Sequence, residues 1–434
     1  MSRRLHRRDF VKRAGATGLG LWAAAPAVLR LPRRDKLNVA CFGVGGRGWD
    51  NTQAVSGENV VALCDPDEER AAAARAAFPD APFYADYREL LDAHGERLDA
   101  AVVSTPDHMH APIALAAMRR GLHCYCEKPL TWSIEEARAM ASVAREKGLA
   151  TQMGNQGTAQ DGFRAGVQAL RAGALGRVSE VHIWTNRPVW PQAIETPEDE
   201  PEVPEHLHWN EWLGCAPERP YHPAYLPFLW RGWYDFGTGA LGDMACHTVN
   251  LAYMGLELDA PTRVEAQSTE LFADSYPAGS RIVYSFPARG ERAALKYTWY
   301  DGSMRPAGDL LGGAEIPGSG CLVVGERGTM FSPDDYGSQQ EFRPEDGSEL
   351  PLPEPAFAKS PGHHAEWLAA CRGEGETMCH FGHAGPFTEA VLLGNLAVRL
   401  GKTIEWDSRA MKAKGLSEAD ALIRREYRGG FSIR

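Results

Sequence analysis

The densest chemistry in this chain lies between Leu37 and Asp65. A six-residue apolar run, Leu37 to Phe42, leads directly into Gly43-Val44-Gly45-Gly46-Arg47-Gly48, a G-x-G-x-x-G turn. A helix-length segment follows, then a second apolar run, Val60 to Leu63, closing on Cys64-Asp65. In that order the glycines have separate tasks. Gly43 makes the tight turn, Gly45 lets backbone approach a pyrophosphate, and Gly48 lets helix pack closely on strand. The pyrophosphate rests on the helix N-terminus, where free N–H groups and the macrodipole favour negative charge. Asp65, 22 residues after Gly43, accepts from the ribose hydroxyls and repels a 2′-phosphate, so the expected cofactor is NAD rather than NADP. Much further along, Asp243 and His247 stand four apart, which on a helix places both on one face. An imidazole with a pKa naturally near neutrality accepts a proton readily, and a carboxylate beside it holds its tautomer. On its own, such a pair is more often a capped or core pair than a catalytic one.

Elements must bring these groups together. Residues 36–155 alternate short apolar runs with helical patterns, the signature of a doubly wound parallel sheet. Helices are expected at Pro66 to Phe78 and Asp86 to His94, and a strand at Asp99 to Ser104. Thr105-Pro106-Asp107-His108-Met109-His110 then reads as a loop before a helix to Arg120. A strand at His123 to Cys126 ends in Glu127-Lys128-Pro129. Ser133-x-x-Glu136 is a capping box opening a helix to about Lys147, and a strand at Ala150 to Gly154 closes the unit. Ligands on such sheets bind outside the carboxyl ends of the strands, where Thr105, Lys128 and Asn155 fall.

Beyond residue 155 a helix is expected from about Ala159 to Ala172 and a strand at Val178 to Thr185. Further strands read at Arg263 to Leu271, Ser280 to Phe286, Ala293 to Tyr300, Cys321 to Gly325 and Thr329 to Ser332. Gly239 to Gly255 reads as one helix; helices at Gly362 to Cys371 and Pro386 to Leu400 are expected to return to the first domain. Residues 187–238 fit no regular pattern and are dense in Pro and Trp, a length that exceeds what a simple connection needs.

Gly43 to Gly48, Thr105-Pro106 with His110, Glu127-Lys128-Pro129 and Gly242-Asp243-x-x-x-His247 together resemble the glucose-fructose oxidoreductase/inositol dehydrogenase (Gfo/Idh/MocA) family. The likeness covers nearly the whole chain after its first 35 residues. It implies an N-terminal Rossmann domain, residues 36–155, and an α+β domain, residues 156–434, on a large, mainly antiparallel open sheet. One face of that sheet packs against the nucleotide domain, and the other often serves a homo-oligomer. The resemblance assigns Gly43, Gly45, Gly46, Arg47, Gly48, Asp65, Thr105, Pro106, His110, Glu127, Lys128 and Asn155 to the cofactor.

It also implies hydride transfer between nicotinamide and a carbohydrate or polyol, in which a base takes the hydroxyl proton as the C–H hydride leaves. His247 is the expected base. Asp243 holds its tautomer or binds a second hydroxyl, and Lys128 hydrogen-bonds the reacting oxygen and lowers the pKa of His247. Seven of the twelve tryptophans lie between residues 184 and 299. Trp230, Arg231, Trp233 and Tyr234 are the expected wall of a sugar pocket, since aromatic faces stack on pyranose C–H faces. No metal is expected: Asp107-His108-x-His110 resembles no zinc motif. His363-His364 and His380 to His383 read as helix caps and solvated surface. The nine cysteines suggest buried free thiols rather than a disulfide framework.

At the start of the chain, Arg7-Arg8-Asp9-Phe10-Val11-Lys12 precedes an apolar, small-residue run, Ala14 to Leu29, containing Ala25-Pro26-Ala27. This reads as a twin-arginine export signal, with the periplasm or cell envelope as destination. Removing residues 1–27 takes six Lys/Arg and one Asp away, leaving 40 basic against 56 acidic groups and a formal charge of −16 instead of −11. Such a balance argues against nucleic acid or anionic membranes as partners. Two functions follow: an NAD-dependent dehydrogenase, or a glycoside hydrolase that keeps NAD bound through oxidation, elimination and re-reduction. A non-catalytic sugar- or nucleotide-binding protein is a remote third, disfavoured by the intact Lys128, Asp243 and His247.

Overall fold

The computed structural model describes residues 35–354 and 356–433. The twin-arginine segment lies outside the described residues. Six strands of the first part, β1 (Asn38–Phe42), β2 (Asn59–Cys64), β3 (Phe83–Tyr84), β4 (Ala100–Val103), β5 (His123–Cys126) and β6 (Thr151–Met153), form one parallel sheet in the order β3-β2-β1-β4-β5-β6. The order reverses between β1 and β4, so the helices that follow these two strands leave on opposite faces and open a crevice at their carboxyl ends. β1 and β4 are buried almost throughout, as strands covered on both faces must be, which is why they read as unbroken apolar runs.

The helix Ile134–Lys147 has the expected bounds. Ser133 accepts from the Glu136 N–H, the Glu136 carboxylate accepts from the Ser133 N–H, and Gly148 ends the helix at φ 62°. Pro66 to Phe78 is helical only at Ala72–Ala77. The chain before it is drawn instead into a bridge between Asp67 and Leu207, with the Glu68 N–H donating to His206 O (2.9 Å) and the His208 N–H to Pro66 O (2.8 Å). The expected loop at Asp107 to His110 is the first turn of a helix, Asp107–Arg119, with Pro106 as its N-cap.

The second part is built on a mixed, mostly antiparallel sheet of nine strands. These are β7 (Val178–Trp184), β8 (Arg263–Ser268), β9 (Ser280–Phe286), β10 (Leu295–Tyr300), β11 (Gly320–Gly325), β12 (Gly328–Ser332), β13 (Glu341–Pro344), β14 (Ile404–Asp407) and β15 (Lys412–Ala413), in the order β13-β12-β11-β7-β10-β9-β8-β14-β15. Only β7 and β10 run parallel.

The long helix Phe381–Leu400 lies between the two parts, against β8 and β9 on one side and Ile134–Lys147 on the other. Arg138 grips Glu389 across that contact with two 2.7 Å hydrogen bonds. One apolar cluster therefore runs from Phe42 and Val103 through Val391 and Leu393 to Tyr284 and Trp299. On the far face of the sheet Lys296 is exposed, whereas Tyr300 is buried with Trp184, Leu322 and Phe331 under Leu311. The expected single helix over Gly239 to Gly255 divides at Val249 into Gly239–Thr248 and Asn250–Gly255. No helix among the described residues is long and apolar enough to cross a membrane.

Candidate active site

A cavity of ≈ 530 Å³ opens along the carboxyl ends of β1, β2, β4 and β5 and runs from the glycine turn to the helix Gly239–Thr248. At one end Gly43, Gly45, Gly46 and Arg47 form its wall. Gly43 has φ 72°, and a Cβ there would sit 2.7 Å from Ser104 O; one on Gly48 would fall 1.7 Å from Gly43 O. Both positions exclude any side chain.

Asp65 lines the same end. Its Oδ2 accepts from the Val44 and Gly45 N–H groups (2.8 and 3.2 Å) and its Oδ1 from the Asp67 N–H (3.0 Å), so the acid braces the turn. A carboxylate has about four lone-pair sites, which leaves capacity for a ribose hydroxyl. Burial pushes its pKa up to about 6 against the pull of these backbone donors. Arg70 lies over Gly45 and Gly46 and also lines the cavity. A turn with no side chains in its floor, a following helix N-terminus and a ribose-length acid fit a dinucleotide.

At the other end Lys128, Asp243 and His247 meet. Lys128 Nζ is 2.5 Å from Asp243 Oδ1 and 3.2 Å from Asp243 O, so one of its three donors stays available to a substrate oxygen. Arg231 Nε lies 3.2 Å from the same carboxylate oxygen, and Arg231 Nη1 lies 3.3 Å from Asp107 Oδ1. Burial would raise the Asp243 pKa, but the Lys128 and Arg231 cations hold it well below the usual carboxylate range. Burial, reinforced by the Lys128 ammonium, pushes His247 down to about 3, so its imidazole is neutral at working pH. Tyr336 meets the His247 ring edge-on, 4.8 Å between centroids.

Behind Lys128, the buried Glu127 carboxylate is held by Arg47 (3.3 Å), Asn51 (3.0 Å), Tyr125 (3.3 Å) and Gln156 (3.2 Å). Burial raises its pKa, yet Arg47 and Asn51 bring it below the ordinary value. Asn51 also faces His364 Nε2 (3.0 Å), whose ring stacks on Tyr125. His363 is buried against Gln152, Thr158 and Met153 O. His383 is half-buried beside Asn250. His363, His364 and His383 are thus parts of the polar scaffold rather than solvated caps, whereas His380 is the exposed N-cap residue of Phe381–Leu400, as the sequence suggested.

Five expected site residues do not line the cavity. Gly48 lies behind the turn, packed on Gly43 O and Ser104. His110 is buried between Pro129 O (2.7 Å) and Thr105 O (2.8 Å), where it ties two cavity loops together. Asn155 donates to Cys246 O (2.7 Å) and fixes the helix that carries Asp243 and His247. Trp233 is buried in an aromatic cluster with its indole N–H on Ala224 O, and Tyr234 packs on Tyr276 and Arg399. Trp230 and Arg231 do line the cavity, as do Thr105, Pro106 and Glu127.

Unanticipated wall residues include Arg70, Gln156, Trp190, Phe228 and Tyr336. They come from irregular segments, and only the Trp density of residues 187–238 hinted at any of them. The Asp107-His108-x-His110 spacing gives Asp107 no role beyond an imagined metal ligand. Its carboxylate instead accepts from Thr238 Oγ1 (2.6 Å) and anchors Arg231. All nine cysteines are free thiols.

Residues 37–155 match the NAD-binding Rossmann fold of an oxidoreductase family, and residues 177–296 match the C-terminal α/β domain of the same family, Gfo/Idh/MocA. The chain belongs to that family. It is 34% identical to inositol 2-dehydrogenase 4 of Saccharopolyspora erythraea over 153 residues, 34% of this chain and 44% of that protein. It is 32% identical to a glycosyl hydrolase family 109 protein of a Shewanella species over 171 residues, 32% of this chain and 37% of that protein. The chain therefore spans less than half the length of these relatives. Among solved structures, the WlbA dehydrogenase of Bordetella pertussis, in complex with NADH and UDP-GlcNAcA, superposes with a TM-score of 0.61 at 18% identity, covering 86% of this chain and 99% of that one. At such identity the likeness is one of fold.

Proposed function

We propose that the protein is an NAD-dependent oxidoreductase acting on a CH–OH group of a carbohydrate or polyol. The observation that carries this reading is the placement of Lys128, Asp243 and His247 at one end of a cavity whose other end is the glycine turn and Asp65. The relatives and neighbours named as sugar or polyol dehydrogenases support it. When bound, NAD supplies the hydride acceptor.

The chain's own residues handle the oxygen and its proton. The free donor of Lys128 binds the substrate hydroxyl, and its charge lowers the pKa of that hydroxyl. The neutral His247 imidazole takes the proton. Asp243 fixes the Lys128 ammonium in place, and Arg231 with Asp107 fixes Asp243. His110 and Asn155 hold the loop and the helix on which these groups sit.

The likeness to glycosyl hydrolase family 109 proteins favours a second reading, a redox-neutral glycosidase using the same residues. We further propose export by the twin-arginine route through Arg7-Arg8, with action in the periplasm or cell envelope as a homo-oligomer. Replacing both arginines by lysine should then block export of a fused reporter.

The test of function is a screen of monosaccharides, polyols and glycosides with NAD, following nicotinamide absorbance and released aglycone together. Net NADH supports the dehydrogenase. Aglycone release without net NADH supports the second reading, and neither signal with any compound would refute both.

A further inference from the structure

Seven large apolar side chains are exposed among the described residues, and three of them, Val189 (67%), Phe228 (51%) and Tyr336 (42%), line the one cavity described above. Exposed apolar side chains scattered singly need no explanation, but a group gathered at the mouth of a site does. Val189 and Phe228 flank Trp190, and Tyr336 stands against His247, so apolar surface lines the cavity from the reacting end outward.

Phe228 is the informative member. It is the centre of a γ-turn, with φ 62° and ψ −34° and the Leu229 N–H donating to Pro227 O. This turn is the strained, positive-φ kind, disfavoured for a bulky residue and relaxed for glycine. Backbone strain explains a glycine here, not a phenylalanine, and the ring contributes little to a core while half exposed. Its ring meets Trp190 edge-on at 5.7 Å. Trp190 and Trp230 in turn flank the guanidinium of Arg231, which reaches Asp243. One continuous wall thus runs from the proton-transfer group to an apolar rim.

Resting on the reading that a sugar hydroxyl reacts at Lys128 and His247, we infer that the natural substrate is a glycoside or oligosaccharide rather than a free monosaccharide. Its reacting ring lies at Lys128, Asp243 and His247, with Tyr336 beside His247, and its second ring or apolar aglycone lies on Phe228 and Val189. The charged end reads hydroxyls, and the apolar rim offers what a pyranose C–H face or an aryl group stacks on.

The test uses the intact protein with NAD and five free sugars, glucose, galactose, mannose, N-acetylglucosamine and N-acetylgalactosamine, each beside its p-nitrophenyl glycoside. For the sugars that react, KM for the aryl glycoside should be about tenfold or more below that of the free sugar. Phe228→Ala should raise the glycoside KM by about tenfold and leave kcat within about twofold, the mark of lost binding shared by ground and transition states. Phe228→Gly should do the same in a protein at least as stable, because glycine relieves the turn; this separates lost stacking from damaged folding.

Equal KM values for sugar and glycoside, or a Phe228→Gly enzyme that keeps the preference, would overturn the inference while leaving the proposed function standing. So would a change of oligomeric state on substitution without a change in KM, which would mean that a second copy of the chain covers the rim. Turnover of no probe at all would overturn the inference, while the proposed function would stand or fall with its own wider screen of sugars, polyols and glycosides.

Discussion

Asp65 has two tasks that pH can separate. Its oxygens hold the backbone of the glycine turn, and its charge faces the place where a ribose 2′ substituent would lie. With a pKa raised to about 6, it is ionised above that value and loses its charge below it. The preference for NAD over NADP should therefore be largest near neutrality and shrink as pH falls through 6, because a neutral acid no longer repels a 2′-phosphate. Titrating both nucleotides across that range checks this, and a pH-independent preference would count against the role. Lys128 is also legible through a neighbour. Its ammonium depresses the His247 pKa, so Lys128→Ala should move that pKa upward and shift the acidic limb of the kcat profile to higher pH, besides lowering kcat. The sequence named these residues because each is the chemically active member of a compact motif. It did not separate those whose side chains enter the cavity from those that hold its walls. His110 and Asn155 stand at strand ends like Thr105 and Lys128, but the end of a strand does not fix where a side chain points.

Elements were legible where local rules act alone. The capping box at Ser133 and the glycine at position 148 set both ends of one helix, and apolar runs set five of the six parallel strands; the two-residue edge strand Phe83–Tyr84 is too short to leave a pattern. They were less legible where distant chain intervenes. Pro66 to Glu69 carries a helical composition but bonds to residues 206–208 instead. Pro386, read as the first turn of the last long helix, lies inside a helix that starts at Phe381. Residues 187–238 have no periodicity at all. They are held by an aromatic cluster of Trp209, Trp212, Tyr225, Trp233 and Phe236, a tertiary solution that leaves no local pattern. Between elements, Arg138 and Glu389 form the strongest polar contact across the helix pair joining the two parts. Arg138→Ala leaves the buried Glu389 carboxylate without its cation, with only the Trp406 indole N–H (3.0 Å) still donating to it among the described residues. The loss should destabilise the protein by about 2–4 kcal/mol, less than for a fully buried pair because Arg138 is partly solvated. Chemical denaturation measures it, and a loss under about 0.5 kcal/mol would show that water replaces the arginine.

Over the whole molecule, buried histidines set the response to acid. Burial pushes His108, His247, His363 and His383 each down to about 3. An unfolded histidine titrates near 6.5, so between the two values the unfolded chain binds protons that the folded chain does not. The stability these groups contribute is complete above about 6.5 and is lost as pH falls below it. Asp65 and Asp301, both raised to about 6, act in the opposite sense between about 4 and 6, but they are two against four. The melting temperature should therefore fall steadily from about pH 7 to about pH 5. A flat or rising profile over that interval would mean that the imidazoles are solvated.

The proposed reading has a cofactor at the glycine turn reduced by a substrate whose proton passes to His247. Its most direct test is a single-turnover comparison of the wild-type and His247→Ala proteins, each saturated with NAD and mixed with a sugar that the wild type oxidises, following nicotinamide absorbance. Equal NAD affinity and a reduction step slower by about 10²- to 10⁴-fold are expected in the variant. A variant that reduces NAD at the wild-type rate, or one that no longer binds NAD, would contradict it.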